Sequence, residues 1–390
     1  MHSIRAKSSC PRVLIATASV GAGHNQVAKA IVESLATETR AMDLQTVDVV
    51  ALMPWLFRAY YAGGFALMMS RFPRIYGLGY RLSDHPQGHG RGLMERRRLW
   101  AERLAMRRFA ATVLRYQPDL VVQTHFFGPP LIGRMIRRRQ IAASQMVVVT
   151  DVEVHRFWYS ENVERWFVPS DYSAEAFRRW GIAEDRITVS GIPVQSKWSR
   201  PLDREKILTD WRLPADREIV LLSGGAEFTC GPIAKIAREI LRTSSRAAVV
   251  VLAGRNKKLL GKLARFPESG ERLFAVGFTD RVHELVEICS VMVTKPGGIS
   301  TAECLARGKP TVLLRPVPGH EAGNAAWLAR QGAAVVATSH KAVAGEVCRL
   351  LDDRAALASL SRNARDCYRP GAETVVNEIR KALSMLSASS

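Results

Sequence analysis

One histidine stands directly behind a glycine-rich turn, at the start of a predicted helix. The stretch SVGAGHNQVAKAI places His24 after Gly21 and Gly23, and an apolar run over residues 13–18 precedes it as a predicted strand. Glycines at such a junction allow a tight turn and a close approach of the backbone, and the N-terminus of a helix attracts anions. Histidine titrates near neutral pH, so His24 could serve there as a general base. The same pattern also fits an ordinary tight turn with a solvated histidine.

A second glycine turn lies in the C-terminal half, within VTKPGGISTAECLARGKPTVLLRPVPGHEAGNAAWL at residues 293–328. A strand is predicted to end at Lys295, and the helix after it begins near Ser300, which makes the backbone N–H groups of Gly298, Ile299 and Ser300 a seat for a diphosphate. Glu303 follows in the first turn of that helix, where a carboxylate complements the helix dipole or accepts hydrogen bonds from two ribose hydroxyls.

Two further polar loops belong to the same half of the chain. His320, Glu321 and Asn324 stand in PGHEAGN, another turn into a helix, and these side chains are suited to binding a polyol. Ser223 and Gly224 open a glycine loop, SGG, after a predicted strand. We expect these loops to face one cleft, because ligands of open parallel sheets bind beyond the carboxyl ends of the strands.

The elements that must position these residues alternate between strands and helices. Such alternation predicts two Rossmann-like α/β domains, each with a parallel sheet and helices on both faces. A linker is predicted near residues 190–206, where prolines and mixed charges follow one another. The predicted strands cover residues 13–18, 46–50, 120–123, 145–150, 219–223, 248–253, 273–276, 291–294 and 311–314.

Composition restricts the class of protein. The chain has 390 residues, of which 47% are hydrophobic and 24% charged, so it has enough apolar sequence for two folded domains and is not a disordered protein. Its six cysteines show no CxxC spacing, which indicates reduced thiols and argues against a metal site. The N-terminal residues lack a signal-peptide pattern, and no apolar run approaches the ~20 residues of a membrane span.

Positive charge is concentrated in one segment. The net charge is +20, and residues 58–139 hold sixteen arginines against four acidic residues. Both nucleic acid and anionic lipid are partners for such a segment. Residues 52–80 are aromatic and apolar with interspersed arginines, which is typical of a core helix and loop or of a segment at a membrane interface.

The motifs resemble those of one enzyme family. KPGGISTAECLARGKPTVLLRPVPGHEAGN is similar to the donor-nucleotide motif of lipid glycosyltransferases, namely the bacterial processive diacylglycerol glucosyltransferases and the plastid monogalactosyldiacylglycerol synthases. The peptidoglycan enzyme that adds N-acetylglucosamine to a lipid carrier is a more distant relative. SVGAGHNQVAKAI resembles the acceptor-side loop of the family, and VVTDVEVHRFWYSENVERWFVPSDY its segment leading out of the N-terminal domain. The resemblance runs over residues 12–370.

This resemblance implies the two-domain GT-B fold and an inverting transfer of a hexose from a UDP-sugar to diacylglycerol, without a cofactor or metal. Residues 1–199 would bind the acceptor and the membrane, residues 200–370 the UDP-sugar, and a helix over residues 371–390 would return to the first domain. His24 is the implied base, with Asp151 and His155 as competing candidates for the base or for orienting the acceptor. The implied donor contacts are Phe278 and Thr279 for uracil, Glu303 for ribose, Gly297, Gly298, Ile299, Ser300, Ser223 and Gly224 for the diphosphate, and His320, Glu321 and Asn324 for the sugar.

The family usually carries glutamine where this chain has His320, so the resemblance leaves the identity of the transferred sugar open. The arginine-rich segment then predicts a peripheral protein that contacts anionic lipid on the cytoplasmic face of the cell membrane. The predicted docking residues are Trp55, Arg58, Arg71, Arg74, Arg96, Arg97, Arg98, Arg107 and Arg108.

Three alternative functions compete with this one. A nucleic-acid binder is disfavoured because no such motif is visible. A nucleotide-sugar epimerase of the same fold and a transferase acting on another lipid both stay open, as do the number of sugars added and the oligomeric state.

Overall fold

A computed structural model of the chain describes residues 10–21, 23–36, 42–59, 64, 71–84, 93–224 and 232–388, without the side chains of residues 73, 93–96 and 386–388. The chain divides into two compact units. The first comprises Met1–Gln195 together with Pro370–Ser390, and the second comprises Ser196–Arg369.

The first unit is built on a parallel sheet of six described strands in the order β2-β1-β3-β4-β5-β6. The strand order changes direction between β1 and β3, which is where ligands of open parallel sheets bind, beyond the carboxyl ends of the strands. The strands are β1 (Arg12–Thr17), β2 (Asp43–Asp48), β3 (Leu120–Gln123), β4 (Ser144–Val148), β5 (Arg165–Val168) and β6 (Ile187–Val189).

Helices cover this sheet with apolar faces. In the first helix the buried residues Val27, Ala28, Ile31 and Leu35 recur at helical spacing, as the sequence pattern predicts. The helices are α1 (Gly23–Ala36), α2 (Trp55–Ala59), α3 (Pro73–Ser83), α4 (Leu93–Ala105), α5 (Arg107–Tyr116), α6 (Pro129–Arg137) and α7 (Asp171–Arg179).

The second unit holds another parallel sheet of six described strands, in the order β12-β11-β10-β7-β8-β9. Its order reverses between β10 and β7. The strands are β7 (Glu218–Ser223), β8 (Ala247–Gly254), β9 (Leu273–Gly277), β10 (Val291–Thr294), β11 (Thr311–Leu313) and β12 (Ala334–Val336). The helices are α8 (Arg204–Asp210), α9 (Ile233–Thr243), α10 (Lys257–Leu263), α11 (Val282–Ile288), α12 (Gly298–Ala306), α13 (His320–Arg330), α14 (His340–Asp352) and α15 (Arg354–Cys367).

The last helix, α16 (Gly371–Ala388), belongs to the first unit and packs against α1. Its first residue must be small, since a Cβ at Gly371 would lie 2.8 Å from the backbone nitrogen of Pro193. The predicted return of the C-terminal helix is therefore observed. The predicted alternation is also confirmed, although the sequence pattern missed the short strands β5, β6 and β12, of three or four residues each.

Candidate functional site

His24 lies where the carboxyl ends of β1 and β3 meet. Gly21 before it has φ +79°, a conformation that favours glycine, and His24 is the second residue of α1. The His24 Nδ1 lies 2.8 Å from the carbonyl oxygen of Thr124 and 3.1 Å from the hydroxyl of Thr150. A carbonyl oxygen only accepts hydrogen bonds, so Nδ1 carries the proton and Nε2 carries the lone pair. The ring is thus held in the tautomer that a general base at Nε2 requires.

Two threonine hydroxyls connect the histidine to both strands. The Thr124 Oγ1 lies 3.0 Å from the Thr17 Oγ1 and 3.2 Å from the backbone oxygen of His24. The Thr17 hydroxyl in turn donates to the side-chain oxygen of Asn25 at 2.9 Å. These bonds fix the start of α1 against the ends of β1 and β3.

A second histidine, His125, lies beside the first, and the sequence analysis missed it. Its ring is 4% exposed and meets the His24 ring edge-on, with 4.5 Å between the ring centroids. Its Nδ1 accepts the N–H of Phe127 at 3.2 Å. Burial, and secondarily His24, hold the pKa of His125 well below its usual value, so this imidazole is neutral. Its place just beyond β3, the neighbour of β1, is the signal that could have identified it.

Aromatic rings surround the two histidines. The Phe126 ring lies 4.1 Å from that of His125, and Trp158 lies 6.5 Å from His24 and 5.7 Å from Phe126, measured between centroids. Phe157 stands 5.6 Å from Phe126. His24 therefore stands beside an apolar wall, which is suited to a lipid-linked hydroxyl more than to a free sugar.

The two competing candidates occupy different surroundings. Asp151 is half-buried in the loop after β4. The pKa of Tyr80 is raised, first by burial of the Tyr80 phenol and then by the negative charge of Asp151. His155 is 4% exposed, and its Nδ1 accepts the N–H of Phe157 at 3.1 Å. Its Nε2 lies 3.1 Å from the backbone oxygen of Tyr80 and 3.2 Å from the hydroxyl of Ser83. Nε2 thus holds α3 and Nδ1 holds the turn at Phe157, so both ring nitrogens are engaged and His155 is a poor candidate for the base. Asp151 stays a prediction.

The predicted docking residues are mostly exposed, with Trp55 at 71%. Arg98 differs: it is 25% exposed, its Nη1 lies 2.7 Å from the Glu102 carboxylate, and its guanidinium stacks on Phe157 at 4.4 Å from the centroid. Arg98 therefore contributes to packing rather than to an outer surface. The Arg96 side chain lies outside the described residues. The exposed arginines among the predicted docking residues are Arg58, Arg71, Arg74, Arg97, Arg107 and Arg108.

An aliphatic stripe on α3 lies partly within residues 52–80, which the sequence analysis interpreted as a core helix and loop or as an interfacial segment. Ile75, Leu78 and Leu82 are 61%, 60% and 59% exposed, and their spacing of three and four residues places them on one face of the helix. Arg74 and Arg81 are exposed on the same helix, next to this stripe. We call these five residues the α3 surface. Its combination of apolar and basic side chains is typical of a helix at a lipid interface.

In the second unit, the carboxyl ends of the neighbouring strands β7 and β10 lie side by side at the strand-order reversal. Ser223 ends β7, and Gly224 follows it. Gly297 precedes α12, and the hydroxyl of Thr301 donates to the backbone oxygens of Gly297 and Gly298, at 2.9 and 3.0 Å. The first backbone N–H groups of any helix lack an acceptor within that helix, and in α12 these are the N–H groups of Gly298 through Ser300. This start of α12 can accommodate a diphosphate.

An ion pair between half-buried Lys295 and the buried Glu321 carboxylate joins two of the predicted donor loops. Glu321 is 1% exposed; its carboxylate lies 3.1 Å from the Lys295 Nζ and accepts the N–H of Val317 at 3.2 Å. Asn324, fully buried, donates from Nδ2 to the backbone oxygen of Pro296 at 3.1 Å. Glu321 and Asn324 thus hold α13 against the loop after β10, and their contact with a sugar stays a prediction. His320, half-buried, begins α13 after Gly319, whose φ is +111°.

Glu303 has an unusual protonation equilibrium. Desolvation raises the pKa of its carboxyl to about 8, while the positive charge of Lys197 opposes this shift. A carboxyl that is easily protonated and deprotonated near neutral pH can exchange its proton when a hydroxyl-bearing ligand binds.

The predicted uracil contacts lie after β9. Phe278 is 71% exposed, and the guanidinium of Arg255 stacks on its ring at 4.7 Å from the centroid. The Thr279 hydroxyl accepts the N–H of Arg281 at 3.1 Å, which holds the turn that leads to α11. Phe278 thus offers a flat, exposed surface to a planar base.

Neither a metal-ligand cluster nor a membrane-spanning helix occurs among the described residues. In the ranges given above, no three His, Cys, Asp or Glu side chains are grouped as metal ligands would be. Within that same part of the chain, every helix is too short or too polar to cross a membrane.

Comparisons with known proteins match both halves of the chain. Residues 24–194 match the family model of monogalactosyldiacylglycerol (MGDG) synthase, and residues 203–366 match that of glycosyl transferases group 1. A processive diacylglycerol beta-glucosyltransferase of Bacillus subtilis is 27% identical over 397 residues, covering 97% of this chain and 97% of that protein. The resemblance described from the motifs is confirmed.

Solved structures share the fold. The Staphylococcus aureus MnaA–UDP co-structure has a TM-score of 0.63 and 15% identity, covering 96% of this chain and 97% of that one. Acinetobacter baumannii MurG has a TM-score of 0.55 and 16% identity, covering 95% and 99%. The predicted GT-B fold with two Rossmann-like halves is confirmed.

Proposed function

We propose that this chain, which belongs to the lipid glycosyltransferase family of the monogalactosyldiacylglycerol synthases and processive diacylglycerol glucosyltransferases, transfers a hexose from a UDP-sugar to the hydroxyl of diacylglycerol. One observation carries the proposal. His24, in the half that matches the synthase model, has its Nδ1 bonded to the Thr124 carbonyl, so its Nε2 is oriented as a base beside an apolar wall.

In the proposed reaction, the His24 Nε2 takes the proton of the lipid hydroxyl while the hydroxyl oxygen attacks the anomeric carbon. The bond from that carbon to the UDP oxygen breaks, and the electron pair leaves with UDP, which inverts the configuration. The Thr124 carbonyl then faces the positive imidazolium, as an orienting acceptor does in other histidine bases. His125 is neutral, so it adds no positive charge that would oppose the protonation of His24.

The second unit would bind the donor. The N–H groups at the start of α12 would hold the diphosphate, and Lys295, fixed by Glu321, would place a positive charge near it. Glu303 would accept the ribose hydroxyls, and Phe278 would contact uracil. We propose that these groups stabilise the departing UDP without a metal, so EDTA should leave turnover unchanged. The relatives' names make UDP-glucose the first donor to test, and the number of sugars added is not part of the proposal.

We also propose that the α3 surface contacts the anionic inner face of the cell membrane, where diacylglycerol lies. Support comes from charge, since residues 58–139 hold sixteen arginines against four acids. Each basic residue near an anionic surface contributes about 1 kcal/mol. Apolar side chains between the arginines favour a bilayer over nucleic acid, which offers no apolar phase to bury them.

A radiolabel transfer assay tests the proposal. Purified protein is given a panel of labelled UDP-sugars and diacylglycerol micelles, with and without anionic lipid. Labelled glycolipid from one sugar, increased by anionic lipid, is the expected result. Conversion or hydrolysis of the UDP-sugar without lipid product would contradict it and favour an epimerase.

Variants of His24 test the base. His24→Asn keeps a donor for the Thr124 carbonyl and removes the Nε2 lone pair, so turnover should fall by roughly 10²–10⁴-fold while UDP binding is unchanged. His340→Asn, on α14 in the second unit, is the matched control and should transfer normally. Turnover of His24→Asn within threefold of the control would remove His24 from this role.

A further inference from the structure

The loop of residues 151–158, which carries Phe157 and Trp158 of the apolar wall, is hydrogen-bonded to α3, the helix of the α3 surface. Asp84, directly after α3, accepts the N–H of Arg156 at 2.8 Å. The His155 Nε2 reaches the last turn of α3, at the backbone oxygen of Tyr80 and the hydroxyl of Ser83, at 3.1 and 3.2 Å. The Tyr80 and His155 rings also pack against each other at a tilt of 54°, with 4.4 Å between centroids. We call Asp84 and His155 the anchor residues.

A short rigid turn leads from the anchor to the base. His155 caps the 3₁₀ turn Arg156–Trp158, because its Nδ1 accepts the N–H of Phe157 and its carbonyl oxygen accepts that of Trp158, at 3.1 and 3.0 Å. The Trp158 ring, 3% exposed, lies 6.5 Å from His24 and 6.3 Å from His125. A displacement of His155 therefore moves Trp158 and the wall beside the histidines.

We propose that the anchor residues couple the α3 surface to the acceptor site, so that a lipid surface bound by α3 positions residues 151–158 for the reaction. The inference rests on the proposed function, because it assumes a lipid acceptor. His155 is a positioning residue, since it acts through Trp158 and the loop. α3 turns Ile75, Leu78 and Leu82 outward and the Tyr80 backbone toward His155, so one helix contacts both partners.

Coupling of this kind follows from a shift in populations. A ligand that prefers one arrangement of α3 stabilises that arrangement, and with it the conformation of the loop that is bonded to α3. Burying the stripe in a bilayer would restrict α3, and the four contacts made by Tyr80, Ser83 and Asp84 would pass that restriction to the loop. A docking helix joined by a flexible tether would instead only raise the local concentration of enzyme at the membrane, and the loop would be unaffected.

Hydrogen exchange on the full chain, with and without vesicles of anionic and zwitterionic lipid, tests the coupling. In the unmodified protein, vesicles should slow exchange over residues 73–83 and also over residues 151–158, by threefold or more. His155→Phe keeps a ring between Tyr80 and Phe157 but removes all three hydrogen bonds of the imidazole, to Phe157, Tyr80 and Ser83. In this variant the protection of residues 73–83 should persist, and that of residues 151–158 should disappear. His155→Gln, which retains an N–H donor, should show part of the protection of residues 151–158.

The transfer assay gives the second readout. His155→Phe should lose most of the stimulation by anionic lipid while its UDP dissociation constant stays within twofold of normal. Asp84→Ala is the second anchor variant, used if the melting temperature of His155→Phe shows a folding defect, and His340→Phe is the matched control. Persisting protection of residues 151–158 in the anchor variants, or its absence in the unmodified protein, would overturn the coupling. So would loss of vesicle binding in both variants.

The two proposals fail separately. The exchange experiment contains no donor sugar, so it reports on the coupling even if no UDP-sugar is transferred. Absence of glycolipid product in the unmodified protein would instead contradict the proposed function alone.

Discussion

Replacing the aliphatic stripe of α3 by serine should release the protein from membranes. The variant is Ile75→Ser, Leu78→Ser and Leu82→Ser combined. These side chains are 61%, 60% and 59% exposed, so they add little to the packing of the first unit. Each exposed substitution should change the free energy of unfolding by less than about 0.5 kcal/mol. The variant should therefore fold, bind UDP and differ chiefly at the lipid surface.

The size of the effect follows from the area left to bury. Complete burial of a leucine or isoleucine side chain contributes about 1.5–3 kcal/mol. Since about three-fifths of each side chain is exposed, each has about 1 kcal/mol or slightly more to gain in a bilayer. The three together contribute about 3–4 kcal/mol, which corresponds to roughly a 100- to 1000-fold weaker partition into vesicles.

Sedimentation with vesicles of fixed anionic content measures this partition. Met385→Ser is the control, because Met385 is 66% exposed on α16, away from α3 in sequence. Its partition should match that of the unmodified protein. If the triple variant binds vesicles within threefold of the control, the α3 surface is not the membrane contact, and the reasoning from exposure is refuted.

Three other predictions concern charged side chains. Lys295→Met should lower the melting temperature, because it leaves the charge of Glu321 without this partner, and should weaken UDP binding, because it removes a positive charge near the diphosphate. Adding Glu321→Gln should restore the melting temperature but not the UDP affinity. A calorimetric double-mutant cycle that shows no coupling between the two substitutions would contradict this. With a pKa of about 8, Glu303 is largely protonated at pH 7, so binding of ribose hydroxyls to its ionised form should release a proton and tighten as pH rises from 7 to 9. Calorimetry of UDP-glucose in buffers of different ionisation enthalpy measures that release, which Glu303→Gln should abolish. Arg98→Ala should lower the free energy of unfolding by about 2 kcal/mol, since it removes the positive charge that pairs with the buried Glu102 carboxylate. Arg97→Ala, at an exposed position, should lower it by less than about 0.5 kcal/mol. Equal melting temperatures of the two variants would contradict the inward placement of Arg98.

Local patterns in the chain were sufficient for the architecture and for the loops that carry the candidate site. Alternating apolar strands and amphipathic helices specify parallel sheets, and the carboxyl ends of neighbouring parallel strands share one edge. Glycine turns at those ends could therefore be recognised before any contact was known. His24 and the start of α12 were found in this way, because the signal for each lies within about ten residues of sequence.

The tertiary structure decided what depends on partners distant in the chain. The tautomer of His24 is set by Thr124, a hundred residues away, and His125 becomes part of the site only because β3 lies beside β1. Helical periodicity places Ile75, Leu78 and Leu82 on one face, yet it does not state whether that face meets the protein or the solvent. That choice is made by the bonds of α3 to the loop at His155, since a helix can pack either face until its neighbours are in place.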